Sequence, residues 1–381
     1  MNRRNFLFKA GQGLGGLALA ANLSGLRVAN AAGNDYKALV CIFLYGGNDG
    51  NHLLIPTDPA GYAQYSAVRT VASGLNIPLS SWLMLKGSDT SGRAYGVHPS
   101  LLGVRSLFDS GRLAFVANVG TLAQPLTRSD YLAGTNLPEN LFSHLDQQNQ
   151  WQSALSSAQS LPTGWGGRLS DASSSLNAGS SFPMLVDLSG TSLFSRSARS
   201  QVVSGPSALQ GFGSSATAKA RYSDYRKLQA LDESGNLAQA LNILTSQGED
   251  ASALLGQALI NPVTLQTVFP SGSLAGQLKT VASVIAARGL LGVNRQIFFC
   301  SLGGFDTHTG QLSAQASLLA NVDQALSAFH DATLELGVES QVTTFTHSDF
   351  GRTFQPTAGA GSDHGWGSHH LVMGGAVLGG H

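Results

Sequence analysis

The chain reads as an α/β protein built on a doubly wound, mostly parallel sheet. Lys37 to Tyr45 is an almost unbroken apolar run, as expected of a central parallel strand buried on both faces. Ile297-Phe298-Phe299-Cys300 and Val342-Thr343-Thr344-Phe345-Thr346 are two further short runs of strand-forming residues, with a long helix-like stretch between them. Each run breaks into a polar loop. The breaks are Gly46-Gly47-Asn48-Asp49, Ser301-Leu302-Gly303-Gly304-Phe305-Asp306-Thr307-His308, and His347-Ser348-Asp349-Phe350-Gly351-Arg352. Strand, polar loop, helix, strand, polar loop is the pattern of a parallel sheet whose ligands gather beyond the carboxyl ends of its strands.

Length and composition suit one large domain or two modest ones: 381 residues with 43% hydrophobic content can bury a full core. The zero formal charge hides an asymmetry. Four of the 22 basic residues (Arg3, Arg4, Lys9, Arg27) fall in the first 31 residues, which hold no acid, leaving 18 basic against 22 acidic groups. A mildly acidic remainder argues against nucleic acid as a partner. Arg3-Arg4-Asn5-Phe6-Leu7, a Gly/Ala-rich apolar stretch to Leu23 and the small-residue site Ala29-Asn30-Ala31 read together as a twin-arginine export signal. The expected products are a signal over 1–31 and a periplasmic or secreted domain over 32–381, delivered by the twin-arginine translocation machinery. The apolar stretch is too short and glycine-rich for a stable membrane span. Cys41 and Cys300 both lie inside apolar strand runs and are expected to be buried free thiols, although an oxidising compartment would permit a disulfide.

Taken in order, the first strand ends at Gly46-Gly47-Asn48-Asp49, which resembles the later Gly303-Gly304-Phe305-Asp306. Two such loops on neighbouring strands would bring Asp49 and Asp306 together, or each would merely cap its own turn. His98-Pro99 starts a helix that ends near Gly111, and Leu113 to Val119 is the next strand. Thr121 to Glu139 reads as a long loop. Ser143, three residues before Asp146, has the form of a capping box, and the same place at a helix start suits a nucleophile. His144 is either a metal or anion ligand or a plain helix-start residue. Arg168, in the turn Gly164-Trp165-Gly166-Gly167, is an oxyanion holder or a surface residue. Ser173 to Ser181 is a Ser-rich linker, and Pro183 to Leu188 is a short strand. The segment 191–287 reads as a helical insertion without strands, containing a flexible stretch from Gly205 to Thr217. A helix near Leu278 to Leu290 returns the chain to the sheet.

Six of the ten histidines fall between His308 and His370, and acidic residues share their loops. The candidate constellation is Asp49, Ser143, Asp306, His308, Asp349, Asp363, His364 and His370. Mixed carboxylate and imidazole donors suit one or two divalent ions, zinc or manganese above all. Such ions activate a hydroxyl nucleophile and clamp a transferring phosphoryl group. No P-loop, His-Glu-x-x-His or nucleophile-elbow motif is present in the sequence.

From the export signal to the C-terminus the sequence resembles the exported bacterial proteins catalogued as domain of unknown function 1501. The resemblance rests on Leu44-Tyr45-Gly46-Gly47-Asn48-Asp49-Gly50, Leu141-Phe142-Ser143-His144, Gly164-Trp165-Gly166-Gly167-Arg168, Gly304-Phe305-Asp306-Thr307-His308, Ser348-Asp349-Phe350-Gly351-Arg352-Thr353 and Asp363-His364-Gly365-Trp366-Gly367. That family is similar to the alkaline phosphatase and sulfatase superfamily, which implies an alkaline-phosphatase-like fold and metal-dependent hydrolysis of a small anionic phosphate or sulfate ester. The resemblance implies metal-binding roles for Asp49, for Asp306 with His308, and for a strand-end Asp-His pair. Asp349-Phe350 has the position of that pair with Phe in place of His, and Asp363-His364 has the residues further along. The Cys/Ser-x-Pro-x-Arg motif of formylglycine sulfatases is missing. The alternative is a non-catalytic periplasmic binding or assembly protein on a degenerate hydrolase fold. Family members continue past the Gly-rich strand expected at Leu371 to Gly380, so the ending at His381 suggests a chain cut short.

Overall fold

A computed structural model describes residues 35–156, 163–204, 215–231, 236–260 and 264–380. The segment 1–31, expected to be an export signal, and most of the stretch from Gly205 to Thr217 lie outside them. In chain order the strands are β1 (Lys37–Leu44), β2 (Leu54–Pro56), β3 (Leu83–Met84), β4 (Tyr95–Val97), β5 (Leu113–Val119), β6 (Leu185–Asp187), β7 (Val202–Ser204), β8 (Arg295–Leu302), β9 (Val342–Ser348), β10 (Gly351–Pro356), β11 (Ser362–Gly365) and β12 (Ser368–Met373). Seven of them form the central sheet in the order β5-β12-β9-β1-β8-β6-β7. The block from β9 to β7 is parallel, while β12 runs antiparallel to both β9 and β5, so the sheet is mixed with one reversed strand.

Alternation along the central strands divides the core into two faces. Val40, Ile42, Leu44, Phe298 and Cys300 face the helices Leu102–Asp109, Ser273–Ala286 and Gln311–Glu335. Cys41, Phe43, Ile297 and Phe299 face the other way, toward Trp151, Trp165 and Leu169 on the helices His144–Ser153 and Trp165–Ser173. Helices therefore cover both faces, as a sheet of continuous apolar strands requires. The two cysteines are free and buried, on opposite faces. Among the described residues no helix is long and apolar enough to cross a membrane.

Several elements differ from the sequence reading. Thr121 to Glu139 is not all loop: Thr127 and Asp130 make a reciprocal capping box that starts the helix Arg128–Ala133. The segment 191–287 is not strand-free, because Val202–Ser204 pairs with β6 and becomes the sheet's edge. Three residues are too few for a period to show in sequence. The Ser-rich stretch after Ser173 is anchored, since the Asn177 side chain binds the backbone of Arg295 at the start of β8.

The loop after β1 is locked by a buried charge pair. Asp49 caps the short helix Gly50–Leu53 through Asn51 N and takes Arg69 Nη1 and Nη2 at 2.5 and 3.1 Å. Burial raises the Asp49 carboxyl, and the Arg69 charge, His52 and the hydrogen bonds from Arg69 and Asn51 together outweigh it, leaving a net lowering. His52 and His98 beside it are neutral, held at about 4 by burial. Arg69→Met should cost about 3–5 kcal/mol in urea denaturation, since it strands a buried carboxylate. The pH dependence has two arms. The histidine contributions are complete above the unfolded value of about 6.5 and disappear as pH falls toward 4, and the Asp49 contribution disappears below about 4. His98→Asn should make the upper arm of a stability–pH curve shallower, with His52, His347 and His370 supplying what remains, and leave the lower arm in place.

Candidate functional site

The loops after β1, β8 and β9 emerge side by side because β1 pairs in register with both neighbours, Leu44 lying opposite Leu302 and Ser348. Gly46 makes their contact possible. Its φ is +115°, and a Cβ there would lie 2.4 Å from Asp306 N. The third loop leads into the β10–β11 hairpin, which sets Arg352 opposite His364. From the other side, the N-terminus of the helix His144–Ser153 points its first residue into the same space.

Asp306 is the centre of what these elements bring together. Its Oδ2 lies 3.4 Å from His144 Nε2, and its Oδ1 lies 2.9 Å from His308 Nε2 and 3.3 Å from His364 Nε2. His308 Nε2 and His364 Nε2 are 3.1 Å apart. Arg352 Nη1 donates to the same Oδ1 at 2.8 Å, from a side chain that is fully buried and also held by the carbonyls of Gly46 and Ser362. Burial raises the Asp306 carboxyl, but the Arg352 hydrogen bond and charge bring it below the usual carboxylate range.

The second nitrogen of each ring decides the chemistry. His144 Nδ1 donates to Asp349 Oδ2 at 2.6 Å, His308 Nδ1 to Asp363 Oδ1 at 3.0 Å, and His364 Nδ1 to the Phe142 carbonyl at 2.8 Å. These partners only accept, so in the neutral rings the proton sits on Nδ1 and all three Nε2 atoms present lone pairs toward Asp306. Lone pairs and a carboxylate this close repel unless a cation lies among them. Donor atoms placed tetrahedrally on a zinc ion at about 2.0–2.1 Å are about 3.3 Å apart, close to the 3.4 and 3.3 Å that separate Asp306 oxygens from His144 Nε2 and His364 Nε2. An imidazole tied at its far nitrogen to a carboxylate or carbonyl is the usual support of a metal ligand. His144, His364 and Asp306 each offer one donor atom within 4.8 Å of the others and could hold a single divalent ion, while His308 stands beside them against Asp306 and His364.

The helix His144–Ser153 braces this arrangement through one face. His144, Gln148 and Trp151, spaced four and three apart, all bond Asp349: His144 and Gln148 at Oδ2, Trp151 Nε1 at the backbone carbonyl. Asp349 Oδ1 takes Gly46 N. Phe142 has φ +72°, a left-handed backbone rarely adopted by a bulky residue, and its carbonyl is the one that receives His364.

The sequence-derived candidates thus separate into groups. Asp306, His308 and His364 converge, and His144, which the sequence leaves open between ligand and helix start, completes the set. Asp349 and Asp363 orient histidines. Asp49 does not meet Asp306, because its carboxylate is enclosed by Arg69, Asn51 and Gln311. His370 lies on β12 against Trp151 and His347, with both ring nitrogens unpartnered; burial holds it at about 3 and His347 at about 4. Ser143 is the N-cap, but its hydroxyl makes no backbone cap and donates to Asp146 Oδ2 at 2.5 Å, so the capping box is not formed. Arg168 binds the carbonyls of Thr163 and Ser153. That role closes the end of a helix and takes up the guanidinium an oxyanion would need. Phe350 packs its ring 4.8 Å from that of His144 and 4.4 Å from that of His364.

Residues 36–381 match the model of the family described as protein of unknown function, DUF1501, and the chain belongs to that family. No curated protein matches the chain.

The tautomers are directly measurable. In long-range proton–nitrogen spectra of imidazole-labelled, metal-free protein above pH 8, His144, His308 and His364 should carry the proton on Nδ1. Finding it on Nε2 in two of the three would remove the donor set.

Proposed function

We propose that this chain is an exported, metal-dependent hydrolase of small phosphate or sulfate esters, working in the periplasm or outside the cell. The observation that carries the reading is the convergence of three imidazole lone pairs on Asp306, each ring held from behind by its own acceptor. Two imidazole nitrogens and one carboxylate, with His308 beside them, favour zinc, with manganese the next choice. When bound, the ion supplies Lewis acidity toward an ester oxygen and lowers the barrier to deprotonating a hydroxyl nearby. The protein's own groups do the rest. Asp349 and Asp363 fix the planes of His144 and His308 and raise their basicity. Arg352 holds Asp306 ionised and in place. Ser143 directs its proton to Asp146, which leaves its oxygen lone pairs for an electrophile and gives the proton a carboxylate to go to. The serine stands at the positive end of a ten-residue helix, where a developing anion is favoured.

A second reading, a non-catalytic exported binding protein, is favoured by one feature. Arg352, the arginine at the centre, is spent on Asp306, Gly46 and Ser362 and is not offered to an anion.

Protein purified from the periplasm should contain close to one equivalent of zinc or manganese by elemental analysis, and a chelator should remove both the metal and the turnover of aryl phosphates or sulfates. Asp363→Ala, at a mostly exposed position, should weaken metal affinity about 10–100-fold in competition with a chromophoric chelator. Metal binding without turnover across phosphomonoester, phosphodiester and sulfate-ester panels would leave the binding-protein reading.

Ser143→Ala separates nucleophile from scaffold. Because the hydroxyl caps no backbone N–H, its removal should cost no more than about 1 kcal/mol, and Asn or Asp at this position should give no stabilising rescue. Turnover should vanish with metal content intact. Full activity in a folded Ser143→Ala protein would assign attack to water.

A further inference from the structure

A second feature lies about two turns from His144 along the helix His144–Ser153. A pocket of about 280 Å³ is walled by Trp151, Trp165, His347, Thr121, Leu122 and Leu155, and among the described residues no lysine, arginine, aspartate or glutamate lines it. Its indoles are fixed in place. Trp151 lies 4.6 Å from the His347 ring and donates Nε1 to the Asp349 carbonyl, while Trp165 stands edge-on to Phe194 at 4.6 Å and lies 5.8 Å from Phe345. Beside the wall, His370 lies against both Trp151 and His347 with its two nitrogens unpartnered.

The wall and the donor cluster share a residue. Asp349 takes Trp151 through its carbonyl and His144 through its carboxylate. Trp151 follows His144 by seven residues on one helix, about 10 Å of rise, so a ligand in the pocket lies about one ring beyond an ester held at Asp306.

We infer that this pocket binds an uncharged sugar ring of the substrate, so that the ester cleaved is carried by a glycoside. The inference rests on the ester-hydrolase reading for the rest of that substrate. Flat indole faces match the C–H face of a pyranose, the neutral imidazole can pair with its hydroxyls, and the Thr121 hydroxyl, whose proton goes to Gln147, can still accept from one. An anionic group finds no cation in the wall. A purely aromatic guest would leave the polar members of the wall without a role.

The test is calorimetric titration of the full-length, zinc-supplemented protein with neutral methyl glycosides (glucoside, galactoside and N-acetylglucosaminide), with phenol as comparator. At least one glycoside should bind saturably, and Trp165→Ala should weaken it about tenfold without changing zinc content. Leu122→Trp adds bulk at a partly exposed position and keeps the test alive where the alanine variant fails to fold; it should abolish binding. No saturable glycoside binding, phenol binding alone, or unchanged affinity in both variants would overturn the assignment. Glycoside binding in a protein that hydrolyses no ester would keep the pocket and reject the hydrolase, whereas ester turnover without glycoside binding would do the reverse.

Discussion

The register of β1 against β8 and β9 is the constraint on which the site depends. Parallel strands carry their loops at one end, and in-register pairing puts the loops at Gly46, Asp306 and Asp349 level with one another. A slip of one residue would turn the apolar set of β1 to the wrong face. Burial of Val40, Ile42 and Leu44 on one face and Cys41 and Phe43 on the other therefore fixes the position of Asp306 as firmly as any polar contact does.

Two Gly-Gly-x-Asp loops stand at neighbouring strand ends and have opposite fates. Asp49 and Arg69 are both fully buried, and Gln311 and Asn51 fill what remains of the carboxylate's capacity. Asp306 has an equally buried arginine, yet its own side chain is 46% exposed and its remaining edge faces three imidazoles. A buried arginine neutralises the local field in both cases. In the first it closes the structure; in the second it holds a carboxylate ionised at the surface, where a cation can reach it.

Much of this was legible in sequence because apolar runs and Gly-Asp breaks are local signals. The apolar runs Lys37 to Tyr45, Leu113 to Val119 and Val342 to Thr346 become strands, the last extended by two residues to Ser348. The final strand, expected at Leu371 to Gly380, begins at Ser368 and ends at Met373, since β12 is defined by its antiparallel partners. Asp306, His308 and His364 could be named from their loops. Their roles relative to Asp49, Asp349 and Asp363 could not, because a carboxylate's spare capacity depends on partners far away in sequence: Arg69 for Asp49, and His144 and Gln148 for Asp349. His144 did leave a trace. The spacing His144, Gln148, Trp151 marks one helix face with three groups able to bond a single acceptor.

Phe350 makes sense only with His144 in view. Read along β9, it stands where the resemblance to hydrolases expects a histidine, and its being phenylalanine looks like the loss of a ligand. In space its ring underlies those of His144 and His364, 4.8 and 4.4 Å away, and it is itself 1% exposed. A buried imidazole there would need partners for two nitrogens beneath rings whose own nitrogens are already assigned. An apolar ring needs none and restricts how far the two histidines can tilt. The imidazole missing at Phe350 is thus brought to Asp306 from the opposite helix, with Asp349, the residue just after β9, acting as its support. The strand keeps its part in the site by holding an imidazole instead of carrying one.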